Sequence, residues 1–582
     1  MQISARREAS RLNPDLVSIA LTFLATGLPI LVALNLPPSA TYFNQVSSLL
    51  GCGAWMLSLS SAVRLAQSSQ TVVSVFAIFA LLFILASLSA VQMDQPWALA
   101  LSAAVIIAAG SLVAVTGFAA GQSGLGSAHF HALCIALLLA GLASSAIGII
   151  QVYAPTLTDG DWIAHTSVAG RAVGNLRQSN QLCSLLLWSI VAALWLGESR
   201  VLRRALAIAL AALMLLVVVL SGSRTGGLGV LLLTLWGLLD SRLAKPTRAA
   251  LLAAPVFYAL SWYAKAGGAG RFSSSTGGDI SSSRFSIWSN ALDLIRAHPW
   301  AGVGFGEFNF AWTLTEFPGR PLEFFDHTHN LPLQFAVELG LPLAGVALGL
   351  LGWALWCAAR NCLRQLEPGQ PAPPQRAAFV MVLLVLNHSL FEYPLWYAYF
   401  LLPTAFLLGL CLGGPSRQDH APAASSPATG QVKSMRLASI VLTLGAAYSI
   451  YDYFKVVVIF APGANAVPLA ERIAEGQRSV FFSHHADYAA ATTSDDPAQA
   501  LAAAQRAAHY LLDTRLMMAW ANALQATGDS ERAKYVAQRL KEFRNPQSEG
   551  YFAPCNDATL KDADRPYQCS APLRKFTFKD FR

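Results

Sequence analysis

Over its first 460 residues the chain alternates long apolar runs with short polar gaps. The runs have the length that a ~30 Å hydrocarbon core demands of a helix, about 20 residues. They predict spans at 16–36, 45–65, 71–91, 97–118, 130–152, 179–197, 205–221, 226–239, 249–265, 330–356, 377–392, 394–413 and 437–457. Two gaps, 153–178 and 266–329, are too long to be simple connections. The stretch 414–434 is a Pro/Ala/Ser linker. From 462 onward the chain turns polar and Ala-rich, and 497–543 alternates small and bulky residues at helical spacing. Within it ALQATGDSERA reads as a helix–turn–helix junction of the tetratricopeptide kind. One or two such units bury little alone, so this tail is expected to pack on the membrane body or on a partner. The pattern predicts an all-α polytopic membrane protein of about 12–13 transmembrane helices with a C-terminal helical domain. Its divisions are 1–152 (N-terminal transmembrane helices), 153–413 (membrane core), 414–436 (cytoplasmic linker), 437–461 (last transmembrane helix) and 462–582 (outer helical domain).

Charge orients this arrangement. Only 12% of the 582 residues are charged, about half the share in a soluble domain. The net charge of +8 sits in short basic clusters between apolar runs, as in cytoplasmic loops, and not in a stripe that would bind nucleic acid. With the N-terminus inside, the cytoplasmic side receives Arg64; Arg200, Arg203 and Arg204; Arg242, Lys245 and Arg248; Arg360, Arg364 and Arg376; and Arg417, Lys433 and Arg436. The short outer gaps carry almost no Lys or Arg. The basic start (Arg6, Arg7, Arg11) runs into a full-length span with no small-residue cleavage site, so it reads as a retained anchor. The segments 153–178, 266–329 and 462–582 then lie on the outer side. There Cys555 and Cys569 could form a disulfide, whereas the other six cysteines, in or beside spans, read as small apolar packing residues.

Ionisable groups at the edges of spans are costly and are therefore candidates for function. AGRAVGNLRQSNQLCSLLL brings Arg171, Arg177, Gln178 and Asn180 to the outer mouth of a span. They form either a solvated helix start capped by Ser179 or Asn180, or a site where Gln178 and Arg177 bind a polar head group. SGSRTGG (221–227) places Arg224 outside, against the prevailing charge rule. It either meets lipid phosphate or offers its planar fork to a diphosphate. In SSSRFSIWSNALDLIRAHPWAGVGFGEF, Arg284, Trp288 and Leu292 share one face of an amphipathic helix. That helix is interfacial with a Trp belt, or it supplies Arg284 as a second anion ligand. The glycines that follow make no nucleotide loop, since no strand precedes them.

FFDHTHNLPLQFAVELGLP sets Asp326, His327, His329 and Asn330 at the entrance of a span, with Glu338 two turns further in. The H-x-H pair lacks a convincing third ligand, so no metal is expected. A single neutral imidazole, His329, oriented by Asp326 or Glu338 and able to accept a proton near neutral pH, fits better. LVLNHSLFEYPLWYAYFLLP carries His388, Glu392, Tyr393, Tyr397 and Tyr399. An aromatic belt accounts for Trp396 and the tyrosines. It does not account for His388 and Glu392, which point to a polar network reaching the same outer cavity.

The segments GNLRQSNQ (174–181), SGSRTGG (221–227), SRFSIW…HPWAGVGFGEF (283–308), HTHNLPLQFAVELGLP (327–342) and HSLFEYPLWYAYF (388–400) together resemble the O-antigen ligase/polymerase superfamily. Within it the chain is most similar to the PglL/PilO-type bacterial protein O-oligosaccharyltransferases. HTHN with ELG downstream is characteristic of the wider superfamily. EYPLWYAYF followed by an outer helical domain points to the protein-acceptor branch. The family's usual Q-P-N stands here as Gln178-Ser179-Asn180.

The resemblance implies a largely helical GT-C fold in a bacterial inner membrane, with the active site facing the periplasm and no cofactor or metal. The donor would be an undecaprenyl-diphosphate-linked oligosaccharide, and the acceptors Ser or Thr of exported, pilin-like proteins. Arg224 and Arg284, with Arg177 third, would stabilise the leaving diphosphate, and His329 would act as general base or orienter for the acceptor hydroxyl. Gln178, Asn330 and Tyr397 would hold sugar or acceptor, with Glu338, Glu392 and His388 completing the polar lining. The cationic and imidazole groups are thus expected to meet in one pocket above the outer leaflet. Two alternatives remain. One is a lipopolysaccharide O-antigen ligase or O-antigen polymerase using the same donor. The other is a transporter with a periplasmic scaffold domain, which should instead bury charge at the midplane within related repeats.

Overall fold

Each apolar run predicted to cross the membrane forms a helix in the computed structural model. It describes residues 15–60, 70–122, 126–166, 168–267, 280–363, 373–413, 429–561 and 564–582. Arg6, Arg7, Arg11, Arg64, Arg364, Arg417, the 268–279 part of the outer loop and linker residues 414–428 lie outside the described residues. The thirteen runs correspond to α1 (Leu16–Leu31), α2 (Tyr42–Leu59), α3 (Gln70–Gln92), α4 (Trp97–Gln122), α5 (Gly126–Tyr153), α6 (Ser179–Glu198), α7 (Arg204–Ser221), α8 (Arg224–Leu239), α9 (Lys245–Gly267), α12 (Leu331–Leu363), α13 (Gln375–His388), α14 (Ala398–Gly413) and α15 (Thr429–Phe460). Between α9 and α12 the long outer loop holds α10 (Ile280–Ala297) and α11 (Phe308–Leu314). The tail holds α16 (Leu469–Gly476), α17 (Ser483–Thr493), α18 (Pro497–Ala507), α19 (Thr514–Ala526) and α20 (Ser530–Glu542).

Among the described residues no strand is present. Among the described residues seven helices (α3 to α7, α12 and α15) are long and apolar enough to span a bilayer, and α1, α8, α13 and α14 are shorter apolar helices. The protein is a multi-pass, all-helical membrane protein.

The chain divides into two units. The first comprises Met1–Phe79, Ala108–Ser275 and Leu350–Tyr448. Its centre is α6, of which 94% of the most apolar window is buried, packed against α5, α7, α8 and α13. Some buried polar groups there find backbone partners, which a water-free interior favours. Trp188 donates its Nε1–H to the Met381 carbonyl at 2.8 Å, and the Ser189 hydroxyl donates to that of Leu137 at 2.7 Å. The free cysteines are all buried, as expected of packing residues.

The second unit comprises Ala80–Ile107, Thr276–Gly349 and Ser449–Arg582. Its core joins α10 (Ile287, Ala291, Leu294) and α11 (Phe308, Trp312) to the tail (Leu512, Leu516, Trp520, Val536, Phe543, Phe581). The tail does not fold on its own surface alone; it closes over the outer loop, and each large apolar side chain so buried contributes roughly 1.5–3 kcal/mol. At the predicted junction, Gly528 takes φ +91 and Asp529 caps α20 by accepting from the Arg532 amide. Cys555 and Cys569 are joined in a disulfide. At the end of α15, buried Asp452 accepts from the Ser479 hydroxyl (2.8 Å) and from the amides of Val480 and Phe481 (3.1 and 2.9 Å), which fastens the start of the tail.

Candidate functional site

In the first unit the polar mouth is built by two turns. SGSRTGG connects α7 to α8: Gly222, at φ +65, ends α7, and the Ser223 hydroxyl caps α8 by accepting from the Gly226 amide at 3.1 Å. Arg171 closes the turn from below, donating Nε–H to the Ser221 carbonyl (3.0 Å) and Nη2–H to Gly222 (3.4 Å) and to the Ser179 hydroxyl (3.0 Å). A cation on the last carbonyls of a helix is favoured by their unpaired lone pairs and by the helix dipole. Arg224, the first residue of α8, is left exposed at the rim.

Ser223 also donates to Asn180 Oδ1 at 2.6 Å, and Asn180 Nδ2 donates to Glu392 Oε1 at 2.9 Å. Asn180 thus joins the SGSR turn to the 389–397 hairpin tip. The same face of α6 carries Gln181, which accepts from the buried Tyr399 hydroxyl at 2.9 Å, and Ser184, 2.7 Å from His388 Nδ1. Tyr393, Tyr397 and Tyr399 stack in succession, with ring centroids 5.8 and 5.3 Å apart. Glu392 is thus bonded through Asn180 to Ser223, and His388 separately to Ser184.

Arg177 and Gln178 differ from expectation in detail. Helix α6 is capped by neither Ser179 nor Asn180. Its N-cap is Gln178, whose side chain makes no capping bond, because Asn180 is drawn to Ser223 and Glu392 and Ser179 to Arg171. The Gln178 amide is left without a hydrogen bond among the described residues. Arg177 sits at φ +59 and turns its guanidinium onto the carbonyls of Ala33, Ala40 and Asn175. Burial there lowers its pKa. The loop that carries it is shaped by two residues the sequence reading overlooked. Gln151 accepts from the amides of Val173 and Gly174, both at 2.9 Å, and Asn175 donates to the carbonyls of Leu31 and Trp162.

In the second unit the HTHN segment enters α12. Asn330 caps that helix through Leu333 N–H at 2.9 Å. Thr328 N–H donates to Gln334 Oε1 at 2.7 Å, and Gln334 Nε2 donates onward to Glu338 Oε1 at 2.9 Å. Trp288 of α10 donates to the Thr328 carbonyl at 2.9 Å, which joins α10 to the histidine segment; Arg284 lies one turn earlier on α10. His329 takes φ +55 and packs edge-on against Phe325, centroids 5.4 Å apart.

An Asp326 carboxylate oxygen lies 3.1 Å from His327 Nδ1. Burial by the surrounding loop opposes its ionisation, but the imidazoles of His327 and His329 outweigh that and hold the carboxyl down to about 2. An anion beside His329 is therefore maintained across the physiological range. Among the described residues no group of three or more His, Cys, Asp and Glu is arranged to hold a metal.

The glycine-rich turn clamps α12. Val303 and Gly304 amides donate to the carbonyls of Val337 and Glu338 (2.9 and 3.0 Å), and Leu341 N–H donates to Pro299 at 2.7 Å. Gly340 breaks α12 at φ +74, and Pro342 follows. A Cβ on Gly302 (φ +65) would lie 2.4 Å from the Glu338 carbonyl oxygen. These glycines allow two backbones to touch. Glu307, in GFGEF, is fully buried and faces His509 Nδ1 of the tail at 2.9 and 3.0 Å, while Gln95 Nε2 donates to it at 3.2 Å. The only acid in a glycine-rich turn was the available signal for this pair.

Comparison with known proteins adds to this geometry. Residues 209–348 match the O-antigen ligase family. Residues 172–196 match the protein glycosylation ligase family, and 377–549 match the C-terminal region of the virulence factor membrane-bound polymerase family. Arg177 and Gln178 fall in the glycosylation ligase match, Arg224, Arg284, His329, Asn330 and Glu338 in the O-antigen ligase match, and His388, Glu392 and Tyr397 in the polymerase match. The chain is 28% identical over 301 residues (49% of the chain, 50% of the relative) to a general O-oligosaccharyltransferase of Acinetobacter baylyi. It is 27% identical over 255 residues (42% and 44%) to a ComP-specific O-oligosaccharyltransferase of the same organism. The chain thus spans about half the length of the curated relatives it matches.

Proposed function

We propose that the chain is a glycosyltransferase of the bacterial inner membrane that moves an oligosaccharide en bloc from an undecaprenyl-diphosphate carrier to Ser or Thr of exported proteins, with its site facing the periplasm. The observation that carries this reading is the pairing of an O-antigen ligase match over 209–348 with a protein glycosylation ligase match over 172–196. Both relatives named above are O-oligosaccharyltransferases, which favours protein over lipid A core or growing polymer as acceptor.

As the glycosidic bond to the carrier breaks, negative charge gathers on the diphosphate. Fixed cations aimed at that charge lower the barrier, since they need not reorganise during the reaction. Arg224 and Arg284 take this role. Arg177, whose guanidinium serves backbone carbonyls, is the third candidate. His329, beside the Asp326 anion, takes the proton of the acceptor hydroxyl as it attacks the anomeric carbon; general base catalysis of this kind supplies about 10²–10⁴-fold. Gln178 has a free amide for a sugar hydroxyl. Tyr397 and the Asn180–Glu392 pair offer further ring and polar surface, and the tail at 462–582 receives the acceptor protein.

The test is the intact mass of exported proteins from cells with the wild-type gene, without it, and with His329→Ala. Glycan mass should appear only with the wild type, while the variant is still produced and inserted. Glycan retained on proteins in cells lacking the gene refutes the function, and a fully active His329→Ala removes that residue from the mechanism.

A further inference from the structure

Along α19, Arg515, Ala519, Asn522, Ala523 and Ala526 recur at helical spacing and line one side of an open groove of about 380 Å³; the other side comes from the end of α17 and the start of α18. Five alanines line it and no aromatic ring does. A sugar site would want ring faces on which to stack, so this trough is ill suited to the glycan. Alanine walls instead let another backbone approach closely, and the stripe from 515 to 526 runs about 16 Å at 1.5 Å per residue.

Thr492 and Ser494 in the groove spend their hydroxyls on the carbonyls of Tyr488 and Asp496, whereas its charged groups face outward. Asp495, in the exposed turn between α17 and α18, and Arg515, exposed in the first turn of α19, make no side-chain hydrogen bond or ion pair among the described residues. Asn522 accepts the Tyr567 hydroxyl at 2.7 Å, so its oxygen is used and its amide nitrogen remains to donate. Tyr567 is itself held within the loop closed by Cys555–Cys569, which braces this wall.

We propose that the groove is a peptide-docking site that takes an extended segment of the acceptor protein. That segment would be built of small residues, with a base facing Asp495, an acid facing Arg515 and a backbone carbonyl accepting from Asn522. The proposal rests on the protein-acceptor reading above and gives the tail's role a location and a chemistry: small side chains and paired charges are selected, and bulky ones are excluded.

The test uses full-length protein in lipid nanodiscs, with no donor present, and a fluorescent synthetic peptide of Ala, Ser and Thr bearing one Lys and one Asp. Saturable binding by anisotropy is expected. Arg515→Glu or Asp495→Lys, both at exposed positions that leave the fold intact, should weaken it about tenfold, the scale of one lost charge contact in a partly shielded groove. Ala519→Trp should abolish binding by filling the trough. No saturable binding, or binding indifferent to the charge variants, overturns the proposal. So does self-association of the wild type that Ala519→Trp dissolves, since the occupant is then a second copy. Because no donor is used, failure of glycan transfer leaves this result standing, and failure of peptide binding leaves the transfer reaction standing.

Discussion

One buried contact that fastens the tail to the outer loop is the acid–imidazole pair Glu307–His509, and His509→Ala is the change that exposes its weight. Glu307 is 0% exposed and His509 6%. The imidazole meets both carboxyl oxygens and stacks on Phe310 at 4.7 Å, nearly parallel. Removing one member of a buried hydrogen-bonded pair costs about 3–5 kcal/mol, because the remaining group stays out of water unpartnered. Gln95 still donates to Glu307 at 3.2 Å, which moves the expectation to the lower end, about 3 kcal/mol. Glu307→Gln removes the acid yet keeps an acceptor for the imidazole, so it should cost less, and its combination with His509→Ala should be strongly non-additive.

The assay is native-state hydrogen exchange of the full-length protein in detergent, read over peptides from 497–543 and compared with peptides from α6. His509→Ala should raise exchange in the first set by the factor corresponding to that loss and leave the second unchanged. A His509→Ala protein whose tail exchanges within 0.5 kcal/mol of wild type, about the scatter of neutral surface changes, would refute the account of how the tail is held.

Other consequences are simpler. Gly302→Ala should destabilise the protein by roughly 2–4 kcal/mol, since a Cβ would meet the Glu338 carbonyl at 2.4 Å in a left-handed backbone; a melting curve like that of wild type would contradict the clamp. His484 and His485 of α17 are buried, and burial pushes both below the ordinary imidazole value of 6.5, His485 to about 3. The unfolded chain therefore takes up protons that the fold refuses. Stability is fully present above pH 6.5 and falls as the pH drops below it, for His485 by about 1.4 kcal/mol per pH unit toward pH 3. His485→Gln should flatten the acid limb of melting temperature against pH. Replacing Cys555 with Ser opens a loop of 14 residues and should lower tail stability by about 3 kcal/mol, measured as the denaturant midpoint with and without reductant.

Helices of this protein were legible because a bilayer asks for something crude: a run of apolar residues of the right length. The run predicted at 179–197 is Ser179–Glu198, and that at 205–221 is Arg204–Ser221. What a run does inside is another matter. ELGLP lies in a continuous apolar stretch, and only the backbone shows that Gly340 breaks it and passes the freed Leu341 amide to Pro299.

The limit is sharper for cations and acids, whose roles are set by what lies opposite them. Arg171 and Arg177 are six residues apart in the same loop and look interchangeable as letters. One caps α7 through carbonyls about 50 residues away, and the other serves carbonyls near the N-terminus. Similarly Glu307 and His509, 202 residues apart, carry no sign of each other in either local pattern. Residue type and membrane edge can nominate a candidate, then, but only a partner decides whether its charge is already spent. Gln178, Asp495 and Arg515 have polar groups with no bond among the described residues, and such groups separate a surface built to receive something from one that merely holds the fold.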